Sequence, residues 1–157
     1  MKPAGAASAL KVQAILGDDF QVLEFDESTR TAADAAAAIG CTVGQIAKSL
    51  IFRATESARP VLAIASGSVR VDERRLSSLL GEDIGRADAA FVREHTGFTI
   101  GGVPPVGHRS PPIIFIDETL LEFETIWAAG GTPNAVFRLQ PEDLVRLTGG
   151  TVAAIAR

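Results

Sequence analysis

Two apolar runs, residues 49–55 (SLIFRAT) and 59–66 (RPVLAIAS), are separated only by Glu56, Ser57 and Ala58, and no other feature narrows so far what this chain can become. Both are rich in β-branched or aromatic residues, and a polar connector followed by Pro60 reads as a turn, so the pair predicts adjacent core strands. A sheet must therefore form around them. Three further strands are expected at residues 111–117 (PPIIFID), 123–131 (FETIWAAGG, ending in a Gly130-Gly131 turn) and 135–140 (AVFRLQ), with Phe20–Phe25 before the pair and residues 151–156 (TVAAIA) closing the chain.

Helix signals lie between these strands. Residues 5–16 read as an amphipathic helix with Leu10, Ala14 and Leu16 near one side, broken by Gly17-Asp18-Asp19. Thr31 with Asp34 three residues on opens an alanine-rich helix that Gly40 stops, and Thr42 with Gln45 opens a second short helix expected to run through Lys48. Asp72 caps a helix to Leu80 that Gly81 ends. Asp88 or a neighbour starts another, reaching about His95 before Gly97, and Pro141 suits the first turn of a last one. Strands and helices alternate without a regular βαβ repeat. The expectation is an α/β (α+β) fold, one domain over residues 1–157, with a mixed, partly barrel-like β-sheet flanked by helices.

Composition limits the function classes. At 157 residues, 46% apolar and 22% charged, the chain suits one globular domain with a sizeable core. The formal net charge of −4 supplies no global field for nucleic acid, so any such binding must come from local clusters, for which Arg70, Arg74, Arg75 and Arg109 are candidates, or else a solvated face. One cysteine, Cys41, permits neither an internal disulfide nor a CxxC site and reads as a small, partly buried side chain in a reducing compartment. The first sixteen residues lack the continuous apolar run of an export signal, and no stretch is long and apolar enough to span a bilayer, so a cytoplasmic protein without membrane contact is expected.

Familiar catalytic patterns are missing. His95 and His108 are the two histidines, without HxxxH or HExxH spacing, so no metal is expected; there is no GxSxG elbow, GxxxxGKS or GxGxxG. Two singular features remain. The segment 98–108 (FTIGGVPPVGH) holds glycines that let a ligand approach the main chain and prolines that fix its path, so it is either a rigid connection or a loop presenting N–H donors to an oxyanion. Lys48, at the expected helix end before an apolar strand, either satisfies the helix dipole or anchors a phosphate or carbonyl oxygen.

With those features in view, the sequence resembles the YbaK/prolyl-tRNA synthetase-associated editing-domain family: free-standing bacterial deacylases related to the insertion domain of prolyl-tRNA synthetase, among them the Cys-tRNA(Pro) deacylases. The resemblance runs from about Thr31 to Ala156. It is carried by residues 43–52 (VGQIAKSLIF), 96–108 (TGFTIGGVPPVGH) and 127–131 (WAAGG), in that order. It implies a hydrolase that deacylates mischarged aminoacyl-tRNA, with tRNA(Pro) carrying a small non-cognate amino acid as substrate, and without metal or organic cofactor. The alternative is a non-catalytic aminoacyl- or nucleotide-binding module docked on a synthetase.

Residue by residue, the resemblance places the functional lysine on Lys48 and the GxxxP loop on Gly101–Pro105. Lys48, Gly101 and Gly102 are then the catalytic positions, and Ile46, Val103, Pro104, Pro105, Gly107, His108, Gly130, Gly131 and Val136 are expected to bind substrate. No side-chain nucleophile is implied, because the terminal ribose hydroxyl of the tRNA assists the water. Phe98 and Trp127 either stack the terminal adenine or pack in the core. Prolyl-tRNA synthetase or an elongation factor is an implied partner, and the protein is expected as a monomer or homodimer. One departure matters: the Cys-specific members carry an aspartate in the strand after the Gly-Gly turn, and residues 132–139 (TPNAVFRL) have none. That weakens the case for cysteine and suits alanine, 2-aminobutyrate, serine or threonine at least as well.

Overall fold

Residues 46–66 form the hairpin that the sequence predicts, and it occupies the centre of the sheet. The computed structural model describes residues 1–27, 29 and 31–157. In chain order it runs β1 (Lys2–Pro3), α1 (Ala7–Leu16), β2 (Val22–Glu24), α2 (Ala32–Ile39), β3 (Ile46–Ala54), β4 (Pro60–Ser66), α3 (Glu73–Leu80), β5 (Ile84–Arg86), α4 (Ala89–Thr96), β6 (Ile113–Asp117), β7 (Ile126–Ala129), β8 (Ala135–Leu139), α5 (Pro141–Thr148) and β9 (Thr151–Ala153). Short 3-10 turns lie at Val43–Gln45 and Glu118–Glu122. The strands order as β1-β2-β8-β7-β3-β4-β6-β9, with β5 added to β3. Pairing is parallel for β3–β7, β4–β6 and β6–β9 and antiparallel elsewhere, so the sheet is mixed, as expected. It remains open rather than closing as a barrel, since its path ends on β1 and β9.

The central position of β4 explains its sequence. Flanked by β3 and β6, it is buried at every residue from Pro60 to Ser66, and a strand covered on both faces reads as a continuous apolar run. Pro60 is tolerated because it is the first residue of the strand. Along β3 the faces alternate: Ala47 and Ile51 join the larger core with Val12 of α1, Val92 of α4 and Leu144 of α5. Leu50, Phe52 and Ala54 face the opposite side with Leu76 of α3, and Ile46 packs under Ala35 and Ala36 of α2. Helices thus cover both faces.

Two local expectations are corrected. The buried stripe of α1 is Ala9, Val12 and Leu16, whereas Leu10 is 49% exposed, because the helix rests on the turn after β7 through Val12. The helix expected through Lys48 stops after one 3-10 turn. Gln45 Oε1 does accept from Thr42 N (3.0 Å), the side-chain half of the cap, but Gln45 Nε2 also donates to Thr125 O (3.1 Å) and Ile46 O accepts from Gly67 N (2.7 Å), so the sheet captures the chain from Ile46 onward. Lys48 therefore lies on a strand, and no helix dipole acts on it. Strands β1 and β5 carry too few apolar residues to be read from sequence; β5 exists because Phe52–Ala54 offers it an edge.

Candidate functional site

The site arises where two strands part. β3 pairs with β7 only through Ile46–Trp127 and Ala47–Ala128, and on that same edge β5 joins only from Phe52. Because Ile46 O points to Gly67 on the β4 side, alternation turns the main-chain groups of Ala47, Ser49 and Ile51 toward the opposite edge. Between the pair at Ala47 and the pair at Phe52, no described strand residue is paired with β3 on that edge, which leaves the main chain of Ser49 facing the gap. A cavity of about 270 Å³ opens there. β3 lines it with Ile46, Ala47, Lys48, Ser49 and Leu50; β7 and β8 contribute Trp127, Ala128, Ala129, Ala135 and Val136. The start of α2 supplies Thr31, Ala32 and Ala35, and the glycine-rich loop supplies Ile100, Gly101 and Val103. Thr29 and Pro133 complete the wall. A small, largely apolar cavity with few polar groups is the ordinary form of a small-ligand site.

Among the described residues Lys48 is the cation in this wall. It is half-buried, and its Nζ donates to Val69 O at 2.9 Å. Burial holds its pKa below the ordinary lysine value, Arg70 pushes the same way, and Asp117 opposes both. Asp117 is itself fully buried, with Oδ2 accepting from Ser66 N (3.0 Å) and Oδ1 from Thr119 N (3.0 Å). Asp117→Asn replaces one acceptor by a donor facing an N–H and removes the charge that favours the Lys48 ammonium. We expect it to cost about 2 kcal/mol of stability, read as a lower urea midpoint with unchanged slope.

The loop is built on a tight turn. Gly102 N donates to Thr99 O (3.0 Å), and Gly101, third of the four residues, has φ 93°, the geometry of a type II turn. Gly102 is buried so closely against the turn after β7 that an added Cβ would lie 2.7 Å from Thr132 Cα. Its N–H is engaged within the turn, so of the two glycines only Gly101 borders the cavity.

The structure brings together some of the expected site residues and separates others. Ile46, Lys48, Gly101, Val103 and Val136 share the cavity. Pro105, Gly107 and His108 instead border a second depression with Ile15, Pro112 and Leu147. Pro104 is buried, and its carbonyl lies 2.6 Å from His108 Nε2. Burial lowers the His108 pKa, partly offset by that contact, which favours a neutral ring. Gly130 and Gly131 serve packing: added Cβ atoms would lie 2.7 Å from Val22 Cγ1 and from Ser8 O respectively. Phe98 is 2% exposed and belongs to the core, whereas Trp127 is half-buried, packs with Ala35 and Ile46, and lines the cavity. Ser49 and the α2 residues were not anticipated; Thr31 was legible as a cap, but its approach to β3 is a long-range contact without a local signal. Among the described residues no three His, Cys, Asp or Glu side chains converge to hold a metal, and no helix is long and apolar enough to cross a membrane.

The profile of the aminoacyl-tRNA editing domain matches residues 26–147, and the chain belongs to that family. Within it, the similarity reaches free-standing proteins over most of their length. A solved structure described as a candidate trans-editing enzyme for prolyl tRNA synthetase superposes with a TM-score of 0.93 at 45% identity, covering 98% of this chain and 99% of that one. The uncharacterized protein YwhH of Bacillus subtilis (strain 168) is 35% identical over 123 residues, 78% of each chain. The proline--tRNA ligase of Thermoanaerobacter sp. (strain X514) is 27% identical over 99 residues, which make up 61% of this chain but 17% of that enzyme.

Proposed function

We propose that this protein hydrolyses the ester bond of mischarged aminoacyl-tRNA, with tRNA(Pro) carrying a small non-cognate amino acid as the substrate. The observation that carries the reading is the cavity between β3 and β7: small, mostly apolar, with the Lys48 ammonium in its wall and the Gly101 turn at its border. The likeness to a trans-editing enzyme described for prolyl tRNA synthetase, and to part of proline--tRNA ligases, supports tRNA(Pro) as the carrier.

In this reading Lys48 holds the aminoacyl-adenosine end and the loop fixes the ester carbonyl, so catalysis comes from positioning and charge rather than from a protein nucleophile. Water adds to the ester carbonyl carbon, the bond to the terminal ribose oxygen breaks, and the proton lost by water ends on that oxygen. The neighbouring ribose hydroxyl orients the water. A separate site of this kind is needed because one methylene distinguishes side chains by only about 1–3 kcal/mol in a synthetase pocket.

The test is deacylation of tRNA(Pro) charged separately with alanine, 2-aminobutyrate, serine, threonine, cysteine and proline. Release of one or more non-cognate residues above the spontaneous rate, with proline spared, is expected. No release from any of them replaces the hydrolase by a binding module that docks on a synthetase.

A further inference from the structure

Among the described residues three hydroxyls and one ammonium line the cavity, and three of these four groups are already engaged. Thr29 Oγ1 donates to Pro133 O (3.0 Å), Thr31 Oγ1 accepts from Asp34 N (3.0 Å), and Lys48 Nζ donates to Val69 O (2.9 Å). The fourth is Ser49. Its Oγ is shielded from solvent and has no hydrogen-bond partner among the described residues. Buried hydroxyls are ordinarily paired, because an unpaired one has surrendered water and gained nothing in return.

The position of Ser49 makes this unmet group meaningful. It follows Lys48 on β3, so its side chain leaves the opposite face of the strand, the one that carries Ala47 and Ile51. The other cavity residues of that inner side are Ala47, Val103, Ala128 and Ala135, all apolar and all buried. Among the described residues the hydroxyl is therefore the polar side chain on the inner side of an otherwise apolar recess, while Lys48 lies on the outer side. A ligand that places an apolar group there leaves the hydroxyl unpaired; one that places a hydroxyl there pairs it.

Resting on the editing function proposed above, we infer that Ser49 Oγ reads a hydroxyl on the side chain of the amino acid to be removed, and that the substrates are seryl- and threonyl-tRNA in preference to alanyl- and 2-aminobutyryl-tRNA. Ser49 is a specificity-determining residue in this account, with no part in the bond-breaking step. A site that hydrogen-bonds a substrate hydroxyl discriminates against analogues lacking it far better than an apolar pocket discriminates by size.

The experiment uses two substrate comparisons, serine with alanine and threonine with 2-aminobutyrate, where each first member has the hydroxyl and the second lacks it. All four are charged on tRNA(Pro), and kcat/KM for deacylation is measured with wild type, Ser49→Ala and Ser49→Cys. Wild type is expected to prefer the hydroxylated member of each comparison by roughly tenfold, about the value of one net hydrogen bond. Ser49→Ala is expected to collapse both ratios toward one, with the larger loss on serine and threonine, and the near-isosteric Ser49→Cys, a weaker partner, to fall between. Because Ser49→Ala removes an unpaired polar atom, its melting temperature is expected to stay level or rise. Alanine released as fast as serine by wild type, or ratios that neither substitution moves, overturns this inference and leaves the editing function standing. No release of any amino acid overturns both.

Discussion

Lys48→Ala is expected to lower kcat/KM for deacylation by about a hundredfold or more, the scale of losing one preorganised charged donor at a reacting carbonyl, while leaving the melting temperature within a few degrees of wild type. The stability side follows from the lysine's surroundings. Its Nζ makes one hydrogen bond, to Val69 O, and burial together with Arg70 works against its charge. Asp117, which favours that charge, keeps its own hydrogen bonds from Ser66 N and Thr119 N when the lysine is gone. The fold therefore gains little from the ammonium, and a charge held at some cost in a cavity wall points to a ligand. Lys48→Arg is not expected to rescue, because a planar guanidinium cannot replace a compact ammonium in the same space. The direction of the pKa shift gives a second readout. A lowered pKa means the proton leaves at lower pH than for a free lysine, so activity corrected for spontaneous ester hydrolysis is expected to decline on the alkaline side before the ordinary lysine range. An unchanged rate for Lys48→Ala would remove this residue from the mechanism.

Much of the architecture is written locally. The caps at Thr31, Asp72 and Asp88 all accept the main-chain bonds that their side chains predict, and the helices they open end at Gly40, Gly81 and Gly97 in left-handed conformation. The central hairpin was legible for the same reason: β4 is buried on both faces and shows it in every residue. Where local signals misled, a long-range partner had intervened. The bond from Thr42 N to Gln45 Oε1 forms, but the ladder to Gly67 and the bond to Thr125 end the turn before Lys48. The site divided along the same line. Lys48, Gly101 and Val103 reached the cavity through motifs that resembled a known family, whereas Pro105, Gly107 and His108, from the same loop motif as Gly101, face a different depression. The turn at Gly101 separates them, and a linear motif cannot reveal which side of a turn faces a ligand. Ser49 was invisible because serine in a strand next to a lysine is unremarkable until its hydroxyl is found buried without a partner.

Gly101→Val and Gly102→Ala are expected to fail for different reasons, and the contrast tests whether the loop acts through its shape. At Gly101 an added Cβ meets nothing within 4 Å, so the whole penalty comes from φ 93°, which a β-branched residue avoids. The cost is about 1–3 kcal/mol if the turn is kept. If the chain relaxes instead, Ile100 and Val103 leave the cavity wall, and kcat/KM is expected to fall at least tenfold while most of the fold survives. Gly101→Asn, which tolerates positive φ better, is expected to retain more activity than Gly101→Val. At Gly102 the new Cβ would lie 2.7 Å from both Cα and C of Thr132, main-chain atoms that no rotamer change can clear. Gly102→Ala must therefore part the loop from the turn after β7, and both melting temperature and activity are expected to drop. Full activity in Gly101→Val at unchanged stability would show that the turn can be rebuilt without consequence, and the loop would then be a connection and no part of the site.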